Sequence, residues 1–140
     1  MSKPRSAVFP VELSRLSDVI HFVDVWSGDI CLESSRCYSL RLIVDELVSN
    51  ICRYGSVPAG GTMTLTLFQV GETITFEIRD SGVPFNPLDV EEPDVSCSLE
   101  ERSIGGLGLL LVRRLSKEIT YRHEDGQNIL TVVLDNRDDP

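Results

Sequence analysis

Between Tyr54 and Thr62 the apolar period of the chain changes from every third or fourth residue to every second residue. Before the change, from about Glu33 to Tyr54, Leu40, Val44, Leu47 and Ile51 recur at helical spacing. At ~100° per residue they fall within about 60° of one another, one buried stripe on one long helix. After a loop at Gly55 to Gly61, Thr62 to Val70 and Thr73 to Asp80 read as two strands of a hairpin turning at Gly71-Glu72. A one-sided helix next to a half-buried hairpin demands a shared core between helix and sheet.

The flanking segments extend that plan. Ala7, Phe9, Val11 and Leu13 are in phase for an edge strand that Pro10 interrupts. Leu16, Val19, Ile20, Val23 and Trp26 predict an amphipathic helix from Ser14 to about Ser27, with Gly28 as its stop. Beyond Gly82 the pattern dissolves into a stretch with Pro84, Pro87 and Pro93 and six acids, too long for an ordinary connection and lid-like over about 83–103. A glycine-rich start opens a helix that runs to about Lys117. Strands Ile119 to His123 and Asn128 to Leu134 follow, joined near Asp125-Gly126. The order predicts an α+β two-layer sandwich, its antiparallel or mixed sheet covered by helices on one face. With 140 residues it is expected to be a single domain over 1–140.

Composition narrows the function. Thirteen Lys+Arg against 22 Asp+Glu leave a net charge of −9, which repels phosphate backbones and argues against nucleic acid as a partner. No segment has the apolar length of a membrane span, and Met-Ser-Lys-Pro-Arg-Ser is no signal peptide, so a cytoplasmic protein is expected. Cys31, Cys37, Cys52 and Cys97 form no C-x-x-C pair, and with only His21 and His123 beside them they offer no zinc-ligand spacing.

Three places carry polar groups where chemistry could use them. Glu46 and Asn50, four residues apart, share a helix face about 80 to 140° from the stripe, at the rim of the core. There they are either a solvated pair or a base and a hard oxygen donor aimed into a cleft. On the same arithmetic Ser49 points away from the core. Asp80 continues the buried series Ile74, Phe76, Ile78, opposite the solvent series Thr73, Thr75, Glu77, Arg79. A carboxylate in that phase needs a donor, either the turn at Ser81-Gly82 or a ligand's exocyclic amine. Gly105-Gly106-Leu107-Gly108 begins a helix, which makes it a tight turn or an anion site, without the Gly-Lys-Ser/Thr of a P-loop.

Taken in order, Glu46-x-x-x-Asn50, Asp80-x-Gly82-x-x-Phe85-x-Pro87 and Gly105-Gly106-Leu107-Gly108-Leu109 resemble the N, G1 and G2 boxes of the GHKL ATPase/kinase superfamily. The wording "DELVSNICRYG", "DSGVPFNP" and "GGLGLLLVRRL" resembles its anti-sigma-factor serine-protein kinase branch. The resemblance runs from about Leu40 to Leu134 and implies a Bergerat α/β sandwich. It implies Glu46 as catalytic base, Asn50 as Mg²⁺ ligand and Asp80 as partner of the adenine amino group, with Gly82 giving the base room. Gly105, Gly106, Gly108 and the Leu109 amide would hold the phosphates of ATP, Arg102 would touch the terminal phosphate, and Thr131 would supply a hydroxyl beside the adenine. Tyr54 stands where many relatives have His, and Asn86 where Asp is frequent. The implied activity is phosphorylation of Ser or Thr on an anti-anti-sigma (STAS-like) partner, with reversible sequestration of a sigma factor. A homodimer is compatible with it. The alternatives are an ATP-gated binding switch without kinase activity and a detached histidine-kinase catalytic domain.

Overall fold

The computed structural model describes residues 4–89 and 104–134, the side chains of 104–107 excepted. The elements are β1 (Arg5–Pro10), α1 (Leu16–Asp29), α2 (Ser34–Tyr54), β2 (Thr62–Val70), β3 (Thr73–Asp80), α3 (Ile104–Leu115), β4 (Ser116–Glu124) and β5 (Gln127–Leu134). Short 3-10 turns occupy Leu13–Arg15 and Pro87–Asp89. The strands form one five-stranded sheet in the order β1-β2-β3-β5-β4. Among the described residues every neighbouring pair is antiparallel.

Register builds the core in rows. Leu67, Phe76 and Val132 lie across one row, and Leu65, Ile78 and Leu130 across the next. These side chains are at most 2% exposed and meet Leu40, Val44, Leu47 and Val48 of α2 and Val19, Val23 and Trp26 of α1 in a single cluster. Fully burying each such side chain is worth about 1.5–3 kcal/mol. The same register continues to Met63, Asp80 and Asn128, so the last row of the core ends in two polar residues. On the opposite face Thr73, Glu77 and Arg79 are half-buried and Thr75 is buried. Thr75 lies between Phe68 and Val133 in the register, and Arg79 pairs with Glu77, so this face does not stand free in solvent.

Both hairpins have two-residue loops. Gly71 takes φ +60° at the first loop position, as a II′-type turn requires. Asp125 and Gly126 take +53° and +76°, the I′ pattern that matches strand twist. The N-terminal elements depart from their expected bounds. β1 stops at Pro10, and Leu13 enters a 3-10 turn that delays α1 to Leu16. α1 runs through Gly28 to Asp29, and the N–H of Ile30 closes it on the Trp26 carbonyl.

Candidate functional site

α2 positions the first two residues. Asn50 is 1% exposed, and its Nδ2 donates to the Pro87 carbonyl at 3.3 Å. With the amide nitrogen engaged, Oδ1 is the atom left to ligate. Glu46, one turn earlier, is half-buried, and its Oε1 is buried without a hydrogen-bond partner. Its carboxyl is held above the usual glutamate range: burial raises it most and the Asp45 charge adds to this, while the Asn50 amide and the Arg53 charge lower it. Ser49 is buried rather than turned to solvent, because α2 packs against α1 and α3 as well as the sheet. Its hydroxyl donates to the Glu46 carbonyl.

Glu46 meets the glycine run directly. A Cβ on Gly108 would stand 2.2 Å from Oε2 and 2.3 Å from Cδ of Glu46, so any side chain here would have to push the Glu46 carboxylate aside. The run lies inside α3, which begins at Ile104, and not ahead of it. The four N–H groups free at that terminus are therefore those of 104–107, and the Gly108 and Leu109 amides belong to the helix ladder. Leu109 also sends its side chain into the core, fully buried.

Asp80, 6% exposed at the end of β3, accepts the Gly82 N–H at 2.8 Å and Asn128 Nδ2 at 2.9 Å. Both bonds reach Oδ1, leaving Oδ2 for a donor from outside. A Cβ on Gly82 would press Asp80 Oδ1 and the Val57 side chain at 3.0 Å, so the glycine keeps this acid uncrowded. Asn128 also donates to the Val83 carbonyl at 2.8 Å, and its Oδ1 accepts the Phe85 N–H at 2.9 Å. Phe85 in turn rests on Gly55 at the end of α2, where a Cβ would meet it at 3.1 Å.

Thus Glu46 joins Gly108, Asn50 joins the loop after Asp80, and Asp80 joins Gly82 and Asn128. Thr131 does not join them. It pairs with Glu77 and Thr120 on the sheet face away from the helices, because three residues on from Asn128 a strand presents its other side. Arg102 and residues 90–103 of the expected lid lie outside the described residues. Asn128 was the residue the pattern could have yielded: it is in phase with the buried series Leu130, Val132, Leu134, as Asp80 is with its own. Among the described residues no group of three or more His, Cys, Asp or Glu could hold a metal, so a cation beside Asn50 would take few ligands from the protein. That suits Mg²⁺, which takes few protein ligands and completes its shell with water and phosphate.

The model of the histidine kinase-like ATPase domain matches residues 9–134. The chain belongs to this family. It is 31% identical over 97 residues to the serine/threonine-protein kinase BtrW of Bordetella bronchiseptica, covering 69% of this chain and 68% of that one. To the serine-protein kinase RsbW of Bacillus mycoides it is 24% identical over 100 residues, covering 65% of this chain and 59% of the relative. The crystal structure of the RsbU and RsbW domains of Rv1364c from Mycobacterium tuberculosis superposes with a TM-score of 0.68 at 15% identity. That superposition takes in 95% of this chain and 32% of the other, and carries the fold. Among the described residues no helix is long and apolar enough to cross a membrane.

Proposed function

We propose that this protein binds Mg²⁺·ATP and transfers its terminal phosphate to a serine or threonine of a small STAS-like protein, so controlling the release of a sigma factor. The observation that carries the reading is the half-buried carboxylate of Glu46, partnerless at Oε1 and lying against Gly108 of α3. A desolvated carboxylate oxygen without a donor is costly as structure and useful as a base. Kinase names on both curated relatives support the same chemistry.

In this reading Asp80 takes the adenine amino group at Oδ2 while Gly82 and Asn128 hold Oδ1. Asn50 Oδ1 ligates the metal, with Nδ2 fixed on the Pro87 carbonyl. The N–H groups at the start of α3, around Gly105 and Gly106, face the phosphates. Mg²⁺ neutralises phosphate charge when bound. Glu46 takes the proton of the acceptor hydroxyl, which is a poor nucleophile until it is removed. The test is incubation with Mg²⁺·ATP and a STAS-domain protein, followed by mass spectrometry of the acceptor. Phosphoserine or phosphothreonine is the expected product, and ATP-dependent binding without it would make the protein a nucleotide-gated switch.

A further inference from the structure

Tyr121 has no part in the chemistry above. It lies on the edge strand β4 opposite Leu130, on the helix-facing side, and its half-buried ring reaches diagonally to Asn128 two residues back along β5. Its hydroxyl donates to Asn128 Oδ1 and accepts the Phe85 N–H at 3.0 Å. The Phe85 N–H thus occupies the phenol's acceptor side and sends the phenolic hydrogen to the amide oxygen. Two donors then face Oδ1 of Asn128, and Nδ2 is turned toward Asp80 Oδ1, the Val83 carbonyl and, at 3.4 Å, the Gly82 carbonyl.

An amide fits the same cavity after a half-turn, and only its hydrogen-bond partners decide between the two orientations. Reversed, Asn128 would set oxygen against Asp80 Oδ1 and against two carbonyls. Asp80 would then lose the donor that fixes its orientation, and the Gly82–Phe85 turn would lose its tie.

We propose that Tyr121 is a positioning residue for base recognition: acting through Asn128, its hydroxyl fixes the orientation of the Asp80 carboxylate and so selects 6-amino over 6-oxo purine nucleotides. This rests on the assignment of Asp80 to the base. A 6-amino group donates to a carboxylate, whereas a 6-oxo group opposes it. The discrimination therefore depends on how firmly Oδ2 is aimed.

The test is titration of the protein with the Mg²⁺ complexes of ATP and inosine triphosphate, before and after Tyr121→Phe. The ring that packs on the core is retained and only the hydroxyl is lost. ATP affinity should fall about fivefold, the weight of one net hydrogen bond, while inosine triphosphate is unaffected, and kcat at saturating ATP should hold. Equal weakening of both nucleotides, the mark of a merely structural role, overturns the proposal, as does no change. Asn128→Thr removes the amide the phenol acts on and should narrow the preference by itself. It carries the test if Tyr121→Phe does not fold. In that background Tyr121→Phe should change the ratio no further, and a further change shows that Tyr121 acts by another route. Wild-type protein that binds neither nucleotide overturns the assignment of Asp80 along with this one.

Discussion

Gly108 and Glu46 touch so closely that a methyl group on the glycine would stand 2.2 Å from the glutamate Oε2. Two segments 62 residues apart in sequence thereby make one surface, acid from α2 and bare backbone from α3. Gly108→Ala separates the two consequences. Alanine gains up to about 1 kcal/mol of helix propensity, and the half-buried Glu46 can swing outward to admit it. The melting temperature should stay near that of the wild type while phosphotransfer falls with the displaced base. A parallel melt and transfer assay decides it, and full transfer would show that the contact is packing only.

Glu46→Gln should keep nucleotide affinity and lose transfer by ~10²- to 10⁴-fold, the range a positioned base contributes. It also has a signature without nucleotide or metal. Glu46 titrates above the usual glutamate range in the folded protein, so the folded state holds its proton longer than the unfolded chain. Stability is fully present below the unfolded value and falls as pH rises through the raised one. Gln carries no such loss. The variant should match the wild type at about pH 4 and melt higher at pH 7 to 8. A difference that is constant across pH would contradict the burial of this carboxylate.

Asn50→Ala removes the donor to the Pro87 carbonyl and the oxygen assigned to the metal. An orphaned buried acceptor costs about 1–3 kcal/mol, which a denaturant titration resolves. More diagnostic is the loss of metal dependence: ATP should bind the variant equally with Mg²⁺ or with a chelator. Retained enhancement by Mg²⁺ would move the metal to other ligands.

Periodicity was enough for the layers, because α2 and the β2–β3 hairpin bury one face each and burial leaves a period of 3.6 or 2. The bounds of β2 and β3 match, since Gly71 and the polar residues after Asp80 end those periods sharply. It was less informative where a neighbour from elsewhere in the chain does the burying. Ser49 is covered because α2 is flanked by α1 and α3, and Thr75 because it lies between Phe68 and Val133 in the register. At the site, Asp80 was visible as an acid in the buried phase of a strand. Asn128 carries the same mark on β5, but its reason is a cross-strand register with Asp80 that no local pattern contains. Thr131 was suggested by resemblance alone, and strand alternation puts it on the other face.

Asp80→Asn tests what that register is for. Oδ1 accepts from the Gly82 N–H and from Asn128 Nδ2, and an asparagine can give both donors its carbonyl oxygen. Its own NH₂ then takes the place of Oδ2. The volume is nearly unchanged and two charge-assisted bonds become neutral ones, so the fold should lose about 1 kcal/mol and still form. The consequence for the ligand is larger. The adenine amino group meets a donor where it had an acceptor, and ATP affinity should fall by about tenfold or more, the effect of 1.4 kcal/mol. A 6-oxo purine gains a partner from the same exchange, so inosine triphosphate should bind the variant better than it binds the wild type. Measuring both nucleotides on protein whose melt shows it folded reads the direction of the switch. If ATP binds the folded variant as it binds the wild type, Asp80 does not read the base and serves only to cap the turn at Gly82.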